Sequence, residues 1–197
     1  MKKTASTSTL LTKDELRSLY SPPVLNDIER TEYFTFSTEE LKELYRFERL
    51  DYAVYFAISL AFFKLKYTFI NFSYRDVTLE RQYLMQQYFQ NQPSPRNFPN
   101  KDTIARIENK VLNLVGFSRF REQNAQMILT KLQSQAAHYP RQRQLCKALL
   151  NLMIKDNVAI PSFVVLQESV TKIWNSEHSR LIKSYYRYTT KSQRENI

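Results

Sequence analysis

Apolar residues recur at helical spacing along nearly the whole chain, in runs separated by capping residues and prolines. Thr12-Lys13-Asp14-Glu15 has the form of a capping box ahead of Leu16 and Leu19, and Ser21-Pro22-Pro23 ends that helix. A short segment follows over residues 27–34, and Ser37-Thr38-Glu39-Glu40 opens a helix carrying Leu41, Leu44 and Tyr45. Residues 50–66 are apolar nearly all round, which predicts a helix buried at the centre of its neighbours. The β-branched and aromatic content of that run also admits a strand. Helix is preferred because Leu50-Asp51-Tyr52 leads in from a helical stretch. Residues 77–89 form the next expected helix, with Leu84 and Tyr88 at i, i+4.

The pattern breaks at Asn91-Gln92-Pro93-Ser94-Pro95-Arg96-Asn97-Phe98-Pro99-Asn100, where three prolines in ten residues exclude a helix. Residues 91–101 therefore read as a linker. Beyond it Asp102 is the expected cap of a helix with Ile104, Ile107, Val111 and Leu114 on one face. That helix ends at Gly116, a left-handed terminator, with Phe117 packing back on the last turn. Residues 122–138 carry Ala125, Ile128, Leu129, Leu132 and Ala136 along one stripe. Tyr139-Pro140 breaks the chain, and residues 141–155 repeat the pattern with Leu145, Leu149 and Leu152. Pro161 precedes a long last helix with the stripe Leu166, Val170, Ile173, Trp174, Leu181, Tyr185. The expected fold is all-α, with about eight or nine helices in two consecutive small helix-turn-helix-like modules, residues 11–90 and 102–188. Flexible tails are expected at 1–10 and 189–197.

Composition sharpens this picture. The sequence of 197 residues holds one glycine, Gly116. A Walker-type phosphate loop needs two glycines and a dinucleotide fingerprint three, so both are excluded. Tight primed hairpins also lean on glycine, which argues against a hairpin-rich β protein. One cysteine, Cys146, leaves no internal disulfide and no Cys-based zinc site, and two histidines leave no His-rich metal centre. The longest nearly unbroken apolar run, residues 52–63, is shorter than the about 20 residues that span a bilayer. The N-terminus has two lysines but no apolar core of a secretory signal, so a cytoplasmic protein is expected, nucleoid-associated if it binds DNA. The net charge is +10, and it is unevenly placed. Residues 1–90 balance 12 Lys+Arg with 12 Asp+Glu, whereas residues 91–197 carry 17 against 7.

The order of motifs resembles a known family. Leu11-Thr12-Lys13-Asp14-Glu15-Leu16-Arg17-Ser18-Leu19-Tyr20-Ser21-Pro22-Pro23, then Phe36-Ser37-Thr38-Glu39-Glu40-Leu41, then the apolar helix over 52–63, is similar to the N-terminal region of the Tn-three family of replicative transposases. Leu112-Asn113-Leu114-Val115-Gly116-Phe117-Ser118-Arg119-Phe120 and Ile160-Pro161-Ser162-Phe163-Val164-Val165-Leu166-Gln167-Glu168 continue the match, with Ser162 where glycine is common. The likeness spans about residues 10–188. It implies two helical DNA-binding modules that recognise the terminal inverted repeats of a transposon. Chemistry in that family lies in an acidic triad on an RNase H-like domain of a much longer chain, and nothing of that domain is in this sequence. The resemblance thus implies DNA binding without catalysis, cofactor or metal. Its implied partners are transposon-end duplex and a transposase or a second copy of the chain, with no membrane and no small-molecule substrate.

The basic residues of the second half are the DNA-contact candidates: Arg106, Lys110, Arg119, Arg121, Arg141, Arg143, Lys147, Arg180, Lys183 and Arg187. Each phosphate that a cation neutralises releases condensed counterions, and arginines near a helix start reach base edges in the major groove. Residues 122–138 and 141–155, joined by Tyr139-Pro140, suit a helix-turn-helix pair. Arg141 and Arg143 at a helix start oppose its macrodipole, which hints at an anion facing them. The bland counterpart is a solvated basic face. Most of the thirteen Tyr and thirteen Phe belong to core stripes, but Tyr185, Tyr186 and Tyr188 beside Lys183 and Arg187 read as an interaction patch. Two other readings stay open: a non-enzymatic protein-interaction module or degenerate transposase remnant, and a tyrosine recombinase built on His138-Tyr139-Pro140-Arg141, His178 and Tyr186. The recombinase reading suffers from the 40-residue gap between the histidines and the missing glycine-bearing arginine motif.

Overall fold

The computed structural model describes residues 10–90 and 92–188, the side chains of residues 187 and 188 excepted. Those residues form nine α-helices: α1 Lys13–Tyr20, α2 Asp27–Tyr33, α3 Thr38–Leu44, α4 Leu50–Lys66, α5 Thr78–Tyr88, α6 Lys101–Val115, α7 Glu122–Gln135, α8 Gln142–Lys155 and α9 Phe163–Tyr188. A 3-10 turn, Ala136–His138, extends α7, and the described residues contain no strand, only two isolated bridges. The fold is all-α, as the pattern predicts.

Local chemistry sets most helix starts. At α1 the Glu15 N–H donates to Thr12 Oγ1 at 3.2 Å, and the Thr12 N–H donates to Glu15 Oε2 at 2.9 Å. The same reciprocal box forms at Asn26/Glu29 and Ser37/Glu40, satisfying donors that a helix start leaves unpaired. Two expectations change. The α6 cap is Asn100, not Asp102: Asn100 Oδ1 accepts from the Thr103 N–H at 2.9 Å, and Asp102 sits in the first turn. The apolar α4 is a helix, but no helical stretch leads into it. α3 ends at Leu44, and α4 starts afresh after Arg49, whose guanidinium pairs with Asp51 at 2.7 Å.

Two hydrophobic cores form, and the chain crosses between them. The first is built round α4, where Val54, Phe56, Ile58, Leu60 and Phe62 are buried together with Phe34, Leu44 and Leu84. α6 belongs to this core, through Ile107, Val111 and Leu112. The second core packs α7, α8 and α9 through Ile128, Leu132, Leu145, Leu149, Met153, Leu166 and Val170. Leu10 and Leu11 are buried in it, and Leu16, Leu19 and Tyr20 of α1 pack on its edge. The cores therefore do not divide at the Pro-rich segment. α6, which follows that segment, packs into the first core, while α1 and Leu10 at the other end of the chain pack on the second. Apart from Leu10, the expected tails at 1–10 and 189–197 lie outside the described residues.

Three helix ends meet between the cores. α4, α6 and α8 each terminate at a left-handed residue: Tyr67 (φ 56°), Gly116 (φ 71°) and Asn157 (φ 54°). The Phe117 N–H donates back to Leu112 O at 2.9 Å and the Val158 N–H to Met153 O at 2.8 Å, the 6→1 bond of a Schellman motif in each case. The residues that follow pair with one another. The Ser118 N–H donates to Asn157 O at 2.9 Å, the Ala159 N–H to Ser118 O at 2.8 Å and the Ile160 N–H to Tyr67 O at 2.8 Å. The Gly116 terminator stands where the sequence predicts it. Phe117, however, packs on α4's end, stacked on Tyr67 at 5.6 Å and edge-on to Phe63 at 5.3 Å.

Candidate nucleic-acid interface

The ten predicted basic residues do not form one patch, and half of them are held by carboxylates. Arg143 and Lys147 project from the first turns of α8 toward α1, where Glu15 accepts from Arg143 at 2.7 Å and lies 3.5 Å from Lys147. The Thr12 backbone donor and then the Arg143 guanidinium hold the Glu15 carboxyl down at about 2, well below the usual carboxylate range. α1 is further fixed beside α8 and α9. The Tyr20 hydroxyl donates to Pro161 O at 2.9 Å, its ring meets Phe163 edge-on, and burial raises the phenol's pKa. Lys110 of α6 pairs with Glu43 and lies over the Phe47 ring at 5.6 Å. Arg119 is clamped to Glu108 and Asn109, both at 2.8 Å, with its guanidinium over the Phe69 ring. Arg180 bonds both oxygens of Glu177, at 2.6 and 2.8 Å, and holds that carboxyl below its ordinary pKa.

Four others, Arg106, Arg121, Arg141 and Lys183, are unpaired or only locally bonded among the described residues. Arg106 donates to Thr103 Oγ1 at 3.1 Å and is otherwise exposed. Arg121 and Arg141 are the N-cap residues of α7 and α8, both exposed, and neither makes a side-chain cap bond. Arg119, Arg121 and Lys101 line a cavity of about 540 Å³ together with Glu108. Lys183 is exposed on α9, while the side chain of Arg187, like that of Tyr188, lies outside the described residues. The exposed cations Arg121, Arg141 and Lys183 pair with no carboxylate among the described residues. Charge patterning missed Lys172, also exposed and unpaired, because it stands alone in the sequence.

A second feature escaped a search built on charge. α7 turns Gln123, Gln126, Thr130 and Ser134 to solvent, an uncharged polar row at i, i+3/i+4 spacing. Gln126, Thr130, Gln133 and Ser134 form one wall of a groove of about 680 Å³, and Lys172 and Arg180 of α9 stand on the other. The apolar stripe expected along α9 is split. Leu166, Val170 and Ile173 are buried, whereas Leu181, Ile182, Tyr185 and Tyr186 are 43–55% exposed. His138 and His178 are both exposed, and the described residues hold no group of three or more His, Cys, Asp or Glu suited to a metal ion. Cys146 is buried in the second core, where burial pushes its thiol up to about 11. No helix of the described residues is long and apolar enough to cross a membrane.

Residues 10–173 match a domain of unknown function, DUF4158. The chain belongs to the DUF4158 family. DUF4158 domains occur in proteins associated with Tn-three-like transposases, and the family has no assigned function. No curated protein matches the chain. In this DUF4158 chain the matched span covers both cores, all three left-handed helix ends and the α7–α9 groove up to Ile173. Lys183 and the exposed apolar end of α9 lie beyond it.

Proposed function

We propose that the chain is a double-stranded DNA-binding protein that recognises transposon ends and does no chemistry itself. The observation that carries this reading is the set of solvent-facing cations round the second core, Arg121, Arg141, Lys172 and Lys183, left without carboxylate partners among the described residues, in a chain whose whole excess of +10 lies in residues 91–197. A fold gains little from such a surface, whereas a polyanion gains at each phosphate contact. The family's occurrence in transposase-associated proteins fits the same partner. Arg119, Arg143, Lys147, Lys110 and Arg180 are given a smaller part, because each must leave a carboxylate before it meets a phosphate. The test is an anisotropy titration on inverted-repeat and unrelated duplexes across salt. Four phosphate contacts give a slope of about −3.6 in log K against log salt. The triple variant Arg121→Glu, Arg141→Glu, Lys183→Glu is expected to bind more weakly, with a slope shallower by about 2 to 3. Absence of any duplex binding at about 50 mM salt overturns the reading.

One observation favours a protein partner in addition: the four large apolar residues exposed within six positions at the end of α9. A transposase or a second copy of the chain would cover them. Concentration-dependent sedimentation of the wild type, lost in Leu181→Ser/Ile182→Ser, is the corresponding result.

A further inference from the structure

We infer that α7, rather than α8, is the helix that reads base edges, with Gln126, Thr130 and Gln133 as the specificity-determining residues. The inference rests on the DNA-binding proposal above and deepens it. In a helix-turn-helix pair made of α7 and α8, the second helix would ordinarily enter the major groove with its N-terminal residues on the bases. Here two cations on that face of α8 are already paired with a carboxylate. Leu16, Leu19 and Tyr20 of α1 pack on the second core, and Glu15 sits against Arg143 and Lys147. Arg143 and Lys147 reach solvent, but each must leave the Glu15 carboxylate before it meets a phosphate.

The exposed face of α7 has the opposite character. Its one acid, Glu122, is in the first turn, and its one cation, Lys131, is bound to Asp156 at 2.5 Å. Toward solvent α7 turns the amides and hydroxyls of Gln123, Gln126, Thr130 and Ser134 beside an exposed Met127, with Gln133 half-buried at the groove wall. Among the described residues Gln126 alone of the three glutamine amides has a partner, a long 3.4 Å bond to Thr130 Oγ1. Amide side chains bond bidentately to adenine N6 and N7, and hydroxyls bond either purine edge. Cations stand on both sides of this row: Arg121 at the start of α7, and Lys172 across the groove. Glu177, the acid in that groove, is already neutralised by Arg180. An uncharged reading row between flanking cations is the division of labour DNA recognition uses: phosphate contacts set the register, and base contacts specify sequence.

The test is selection from a pool of duplexes with a randomised centre, using the full chain and three variants. Wild type is expected to enrich one motif. Gln126→Ala/Gln133→Ala is expected to keep bulk duplex affinity and salt slope while losing about 5- to 150-fold discrimination at the contacted base pairs. Gln126→Arg is expected to shift the preferred base there toward guanine, a gain that misfolding cannot mimic. In Gln144→Ala, on α8, the motif is expected to be unchanged. The inference is overturned if both Gln126 variants enrich the wild-type motif, if Gln144→Ala alters it, or if wild type binds duplex and enriches nothing. Failure of wild type to bind any duplex at low salt removes the DNA-binding reading itself, a separate result.

Discussion

Tyr67, Gly116 and Asn157 share one backbone conformation but differ in what it costs. An L-residue in the left-handed region pays about 1–2 kcal/mol, glycine pays nothing, and asparagine is among the least penalised. Nothing lies within 4 Å of a Cβ built on Gly116, so Gly116→Ala is opposed by its φ alone and should lower stability by about 1–2 kcal/mol in urea unfolding. Asn157→Gly is expected to be nearly neutral, because relief of the backbone is offset by the extra freedom glycine gives the unfolded chain. Glu15 supplies a pH test. Its carboxyl is depressed from 4.5 to about 2 on folding, so its contribution is full above about pH 4.5 and fades as pH falls toward 2. The Tm difference between wild type and Glu15→Gln should be largest near neutrality and shrink through that window. A difference independent of pH would mean that neither the Thr12 N–H nor the Arg143 guanidinium holds the carboxylate in solution. Cys146, buried and raised to about 11, should react with a thiol reagent only as fast as the protein opens.

Helix starts and stops are legible in the sequence because they are written within four residues. Thr12, Ser37 and Gly116 sit where their caps predict, and each motif closes on its own neighbours. The sequence points to Asp102 where Asn100 is the cap, because both residue types cap well. The choice turns on which side chain reaches the third amide onward, and Asp102 in the first turn is favourable to the dipole in its own right. Partnerships between helices are not written locally. A stripe says that a helix buries one face and not what covers it. Nothing in Leu16 and Leu19 points to α8, and the carboxylate that holds Arg143 lies 128 residues away. That is why the basic candidates were legible as a set while their pairings were not. α1's docking is tested by Tyr20→Phe, which removes the hydroxyl's bond to Pro161 O and should cost about 1 kcal/mol.

At the scale of the molecule, the two cores are tied at the meeting of helix ends, by Lys66 reaching Ser21 O at 2.6 Å, and by α1 lying on the far core. Unfolding should therefore be a single transition in calorimetry, with equal van't Hoff and calorimetric enthalpies; two resolved peaks would show the cores to be independent. The crossing of the chain has a further consequence. The exposed stretch 92–98 is where a protease would cut first. The N-terminal piece would then carry α1, which the other piece's core needs, and the C-terminal piece would carry α6, which the first core needs. Neither fragment holds a complete core, yet each holds the part the other lacks. A nicked chain should stay one particle, and the two halves, expressed apart and mixed, should reassemble by complementation.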